Sequence, residues 1–178
     1  MPSRLIVALA LCWCFATGSW AQFPGRPGDT TDEKIPSKWF QKAKGYEEAL
    51  ELQKQTGADI FIYFTRESPA SEKGLCRWFE NKALSDVKLR RVLRDYIKVQ
   101  VPLPSNPDTQ RLAEKFRVGK TPAIYIVQTN GFTQTVKVFD WSDGRPKLDP
   151  IETIIETIRV RSGPRYQQPV GETEPTKR

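Results

Sequence analysis

The chain has 178 residues, 38% of them hydrophobic and 11% aromatic, which suits one packed domain with tails. It contains no histidine; that removes the commonest general base and metal ligand, nucleophiles of the Cys–His or Ser–His–Asp kind and any ordinary zinc site. The formal charge is +7, but Lys and Arg are spread along the chain, a pattern of solubility or of adhesion to anionic surfaces and not of nucleic-acid binding. No metal and no cofactor is expected.

The N-terminus reads as a targeting segment. MPSR carries a positive charge, LIVALALCWCFATG has the length of a signal-peptide apolar region, and Ser19-Trp20-Ala21 offers small residues where a signal peptidase reads. Residues 1–21 are therefore assigned to a signal peptide, and the protein is expected to be exported, periplasmic or secreted. An uncleaved anchor is the alternative, but the apolar run falls short of the roughly 20 residues that a span needs. Lipoprotein processing at Cys12 is another, with Leu11 a poor fit before it. Cleavage removes Cys12, Cys14 and the one charge of Arg4, leaving +6 and a single cysteine, Cys76. No intrachain disulfide can then form.

Residues 22–39 read as a flexible leader, rich in Pro, Gly and charge, with Trp39 and Phe40 able to dock as an anchor. The spacing of Tyr46, Ala49, Leu50 and Gln53 predicts a helix over 44–57 that Gly57 stops. The apolar run within 59–65 predicts a buried strand. Ser68 as N-cap and Pro69 at the first helical position open a helix to about Lys82, with Leu75, Phe79 and Ala83 every fourth residue. A further helix covers 86–96 with Ser85 as cap, a strand covers 97–103, and a helix covers 109–116. Residues 123–127 and 135–139 form a hairpin around Asn130-Gly131. Asp149-Pro150 opens a last helix carrying Ile151, Ile154, Ile155 and Ile158. Residues 162–178 repeat the leader's composition and read as a disordered tail. The order α β α α β α β β α predicts an α/β three-layer sandwich, a mixed central sheet with helices on both faces.

That order, the strand leading into a helix that bears Cys76, and Gly119-Lys120-Thr121-Pro122 directly before the strand AIYIV together resemble the thioredoxin fold over residues 40–161. The exported thioredoxin-like domains whose active-site helix runs on into a second helix are the most similar. The resemblance implies a cis-proline loop at Thr121-Pro122 whose backbone pairs with an extended peptide. It also implies a Cys-x-x-Cys at the helix start, and here the chain departs from it. If Cys76 is the second cysteine, Lys73 stands at the first, and the motif reads KGLC. Tyr63 and Phe64 occupy the part of the strand where the family keeps a buried acid. The active site is thus expected to be degenerate.

About four extra residues separate the strand from Cys76, one helical turn. Cys76 would then lie in the second turn or later, beyond the reach of the helix-terminal field that stabilises a thiolate. Packing by Leu75 and Phe79 raises a thiol's pKa, while Lys73 and Arg77 act the other way. Trp78 is either a binding platform or core, and Trp141 either a partner surface or a lid. Glu67, Glu72 and Asp59 read as solvated surface. Two functions follow. The first is a redox-inactive module binding a protein or peptide partner in the groove formed by Lys73, Trp78, Thr121 and Pro122. The second is a monothiol oxidoreductase with Cys76 as its catalytic residue, forming mixed disulfides. A disulfide dimer through Cys76 is a third possibility.

Overall fold

A computed structural model describes residues 34–104 and 106–167. The expected signal peptide, most of the leader and the tail beyond Gln167 lie outside the described residues. The elements run β1 (Trp39–Gln41), α1 (Lys42–Thr56), β2 (Ile60–Arg66), α2 (Ala70–Phe79), α3 (Val87–Val92), β3 (Ile97–Leu103), α4 (Pro107–Lys115), β4 (Ala123–Val127), β5 (Thr133–Val136), β6 (Phe139–Asp140), β7 (Lys147–Leu148), α5 (Ile151–Arg161) and α6 (Pro164–Gln167). Between α2 and α3 the helix widens into a π-helical turn, Glu80–Leu84, and a short 3-10 turn, Leu93–Asp95, follows α3.

Five strands form one mixed sheet in the order β1-β3-β2-β4-β5. β2 lies at its centre, parallel to β3 and antiparallel to β4. Because side chains alternate along a strand, β2 feeds two cores. Ile60, Ile62 and Phe64 join Tyr46, Val99, Leu112 and Phe116 on the side of α1 and α4. Phe61 and Tyr63 join Phe79, Leu89, Tyr96, Ile124, Ile154 and Ile158 beneath α2, α3 and α5. Burial on both faces explains why the strand reads as a continuous apolar run. Gly57 ends α1 in the left-handed region at φ 63°, as glycine permits. Gly45 is demanded by contact: a Cβ there would sit 2.9 Å from the carbonyl carbon of Phe40.

Several boundaries differ from the sequence reading. Trp39 belongs to β1, which pairs with β3 through Trp39 and Lys98, so the leader ends inside the sheet. Ser68 caps nothing: α2 starts at Ala70 after an extended Pro69 and has no side-chain cap. The cap of α3 is Asp86, whose carboxylate accepts the N–H groups of Lys88 and Leu89, while Ser85 hydrogen-bonds to the Asn81 carbonyl within the π-helical turn. The stretch 135–139 is broken, with β5 ending at Val136 and Phe139 pairing with Leu148 of β7 instead.

The largest difference lies at the C-terminal boundary, because residues 162–167 dock instead of trailing away. Tyr166 stacks on Tyr96 at 4.4 Å between ring centroids. Its hydroxyl donates to the Asp95 carbonyl at 2.7 Å and accepts the Asp59 N–H at 3.0 Å. Ser162 is fully buried and hydrogen-bonded to Tyr96 Oη at 2.7 Å. Asp59, read as surface, is buried and accepts the Gly163 N–H at 2.7 Å. Burial holds its carboxyl above the usual range, partly offset by that hydrogen bond. Composition flagged the segment as disordered because Pro, Gly and charge dominate it, while one tyrosine supplies the docking surface.

Tyr166→Ala is expected to cost about 2–3 kcal/mol, below the value for a fully buried aromatic because the ring keeps some exposure. Tyr166→Phe, which keeps the stack and loses both hydrogen bonds, should cost about 1 kcal/mol. Urea denaturation measures both, and an alanine variant as stable as wild type would refute docking of this segment.

Candidate functional site

Cys76 is the seventh residue of α2 and is 4% exposed, two turns from the helix start, as the extra turn in the sequence suggests. Tyr63 rises from β2 beneath it. The Tyr63 hydroxyl donates toward the Cys76 carbonyl at 3.4 Å and the Glu80 carboxylate at 3.2 Å. Burial first, then the neighbouring Cys76 and Glu80, holds this phenol far above its ordinary pKa, so it serves as a fixed donor.

The loop before β4 packs against the first turn of α2. The Thr121–Pro122 peptide bond is cis, as are Ser68–Pro69 and Leu103–Pro104. Glu72 Oε2 accepts both the Thr121 N–H at 2.8 Å and the Thr121 hydroxyl at 2.7 Å, and the Arg66 guanidinium faces the same carboxylate, 3.4 Å from Oε2 and 3.5 Å from Oε1. Thr121 is 2% exposed. The expectation that Glu72 is a solvated surface residue is therefore incorrect; of the three acids, Glu67 alone is exposed. Spacing alone gave no hint, because Glu72 and Thr121 are 49 residues apart.

Beside this loop runs a groove of about 680 Å³, lined by Leu75 of α2, Thr121, Pro122, Val138, Phe139 and Trp141 among others. Trp141 is 52% exposed and Trp78 is 38% exposed. Trp78 packs its ring on Phe139 at 5.6 Å, so it borders the groove through Phe139. Lys120 and Lys137 edge the groove and have no ion-pair partner among the described residues. Of the four residues expected to bind, the groove brings together Thr121 and Pro122. Lys73 instead pairs with Glu67 at 2.5 Å and holds that carboxyl below its usual range by hydrogen bond and charge. Cys76 does not line the groove. Leu75 and Phe139 were not singled out as binding residues from the sequence; Trp141, read there as either a partner surface or a lid, is the exposed aromatic at the groove.

Among the described residues there is no group of three acidic, cysteine or histidine side chains that could hold a metal ion, and no helix long and apolar enough to cross a membrane.

No protein-family model and no curated protein matches the chain. Among solved structures it is similar to the C-terminal domain of DsbD from Neisseria meningitidis in the oxidised form, at 14% identity and a TM-score of 0.51, over 70% of this chain and 99% of that one. It is also similar to a thioredoxin from Thermus thermophilus, at 24% identity and a TM-score of 0.49, over 68% of this chain and 86% of that one. A DsbH oxidoreductase matches at 16% identity and a TM-score of 0.47, over 70% of this chain and 85% of that one. Taken with the mixed five-stranded sheet and its helices on both faces, the likeness to the DsbD domain identifies the fold of this chain as thioredoxin-like.

Proposed function

We propose that the chain is an exported thioredoxin-like binding module without dithiol chemistry, and that it takes an extended segment of a partner protein in the groove beside Thr121–Pro122. The observation that carries this reading is an open groove next to a closed thiol. A thiol–disulfide exchange needs the attacking sulfur to reach a partner sulfur in line, and Cys76 is 4% exposed. Lys73 occupies the position where a dithiol site would need its nucleophile, and its ammonium is engaged by Glu67. The groove, in contrast, is wide enough for side chains and is bordered by two exposed tryptophans, the residue type enriched at binding hot spots. Export to the periplasm or beyond rests on the N-terminal sequence.

Glu72 sets a condition on binding. A peptide that pairs its backbone with the loop has to take the Thr121 N–H from the Glu72 carboxylate, so part of its binding energy is spent on that exchange. Side chains reaching Leu75, Phe139 and Trp141 meet no such competitor. Recognition is therefore expected to rest on apolar and aromatic side chains of the partner, with Lys120 and Lys137 favouring acidic neighbours.

In native protein Cys76 should react with iodoacetamide only on unfolding, and Cys76→Ser should leave peptide capture unchanged. Rapid native alkylation with an inflection well below pH 8.5 would favour the monothiol reading instead. Trp141→Ser should weaken capture at least about tenfold, as for an interface anchor, measured by selection from an extended-peptide library and titration of the selected sequence. Glu72→Ala should strengthen binding of that peptide about fivefold by releasing the Thr121 N–H; a loss would mean that the hold of Glu72 on the loop matters more to binding than the released N–H.

A further inference from the structure

A second cavity, of about 510 Å³, lies on the sheet face covered by α2 and α3 and shares no lining residue with the groove. Its size falls within the range of small-molecule sites. Its floor is β3 and β2, contributing Lys98 and Tyr63, and its far wall carries Arg90 and Arg94. Trp39 and Leu84 supply apolar surface.

The charges are the unusual feature. Lys98 is 6% exposed, yet its ammonium has no carboxylate partner among the described residues; it reaches the Pro36 carbonyl at 3.3 Å and the Leu93 carbonyl at 3.5 Å, neither of which carries a charge. Burial of an ammonium without an anion is expensive, and desolvation here holds its pKa below the ordinary lysine value. Arg90 on α3 and Arg94 in the 3-10 turn after it both line the cavity, and neither has an acidic partner among the described residues. One carboxylate, Glu80, lines the same cavity, and it already accepts the Tyr63 hydroxyl. Three cations against one acid leave the cavity positive.

The local backbone is unusual as well. Glu80 and Leu84 both reach the cavity from the π-helical turn, a distortion that recurs at functional sites. We propose that this cavity is a binding site for a small organic oxyanion, a carboxylate or phosphate on an aromatic or branched aliphatic body. Lys98, Arg90 and Arg94 take the oxyanion, with the arginines suited to planar, two-point contact. Trp39 and Leu84 take the body. An incoming anion supplies the counter-charge that no described residue gives Lys98.

The test is calorimetric titration of the purified chain at low ionic strength with benzoate, phenyl phosphate and neutral benzamide as probes. Benzoate or phenyl phosphate should bind at least about tenfold more tightly than benzamide, the discrimination expected of charged hydrogen bonds; which of the two binds better assigns the head group. Lys98→Met should lose about tenfold or more of that affinity. Arg90→Gln and Arg94→Gln alter exposed side chains and should each weaken binding without unfolding the domain, which keeps the test decisive if Lys98→Met does not fold. Lys54→Gln, remote from the cavity, should change nothing. Equal binding of benzamide and the anions, no anion binding at all, or full affinity in both arginine variants would overturn the proposal. Peptide capture at the groove is measured separately, so the two sites fail or hold independently.

Discussion

Tyr63 brings a hydroxyl into the centre of an apolar layer, and much of the molecule's layout follows from satisfying it. It is fully buried in the middle of β2, flanked on the strand by Ile62 and Phe64, and an unpaired hydroxyl there would cost several kcal/mol against a non-bonding medium. The partners it finds, the Cys76 carbonyl and the Glu80 carboxylate, both belong to the helical segment overhead. The Tyr63 ring also packs against Phe79, tilted at 58°, 5.4 Å between centroids. One side chain thus ties the central strand to the helix through both its ring and its polar tip. This fixes which residues of α2 face inward, and it keeps Cys76 against the sheet and out of solvent.

The opposite side of α2 is constrained by a different acid. Glu72 gathers the N–H and hydroxyl of Thr121 together with Arg66, so the first turn of the helix, the end of β2 and the loop before β4 meet at one carboxylate. Charge-assisted hydrogen bonds are about twice as strong as neutral ones, and this one is largely shielded from water. The loop is therefore held by side-chain chemistry as well as by its own backbone. The first turn of α2 thus presents a brace, while Lys73 on the same turn pairs with Glu67. The brace and the burial of Cys76 act on the same helix, one at its first turn and one further along.

The fold was legible because its signals are local and periodic. β2 announces itself as five consecutive apolar residues, α5 by isoleucines at helical spacing, and β3 by alternation. What escaped were features that depend on contacts across the chain. β1 is three residues long and exists because β3 offers it an edge. The π-helical turn arises where α2 must both satisfy Tyr63 and pack Phe79 and Ala83 in the core, and no residue in 80–84 signals it. The docking of 162–167 depends on Tyr96 and Asp59, each more than 60 residues away. For the site, the Thr-Pro loop and the displaced cysteine were readable from spacing. Glu72, Lys98 and the paired arginines were not, since an acid or base in a sequence is by default solvated and only the fold reveals which ones water has left.

That default bears on the two binding features. The groove beside Pro122 is bordered by apolar and aromatic groups with few charges, whereas the cavity under α3 concentrates positive charge that only Glu80 offsets among its lining residues. A folded domain gains nothing from an unpaired buried ammonium: lysine to methionine at such a place ordinarily conserves packing and removes a desolvation cost. Lys98, set among Trp39, Leu84 and two arginines with no carboxylate partner among the described residues, therefore adds nothing to the stability of the domain as described. The groove needs no such explanation, because exposed aromatics on a short hairpin cost the fold little. The two features are connected through Tyr63, which lines the cavity and reaches the backbone of the helix bearing Leu75. Because Glu80 is the shared partner of Tyr63 and the acid of the cavity, an anion held by Lys98 would act on the same carboxylate that orients α2. The charge state of the cavity and the position of the groove's helix thus meet in one hydrogen bond.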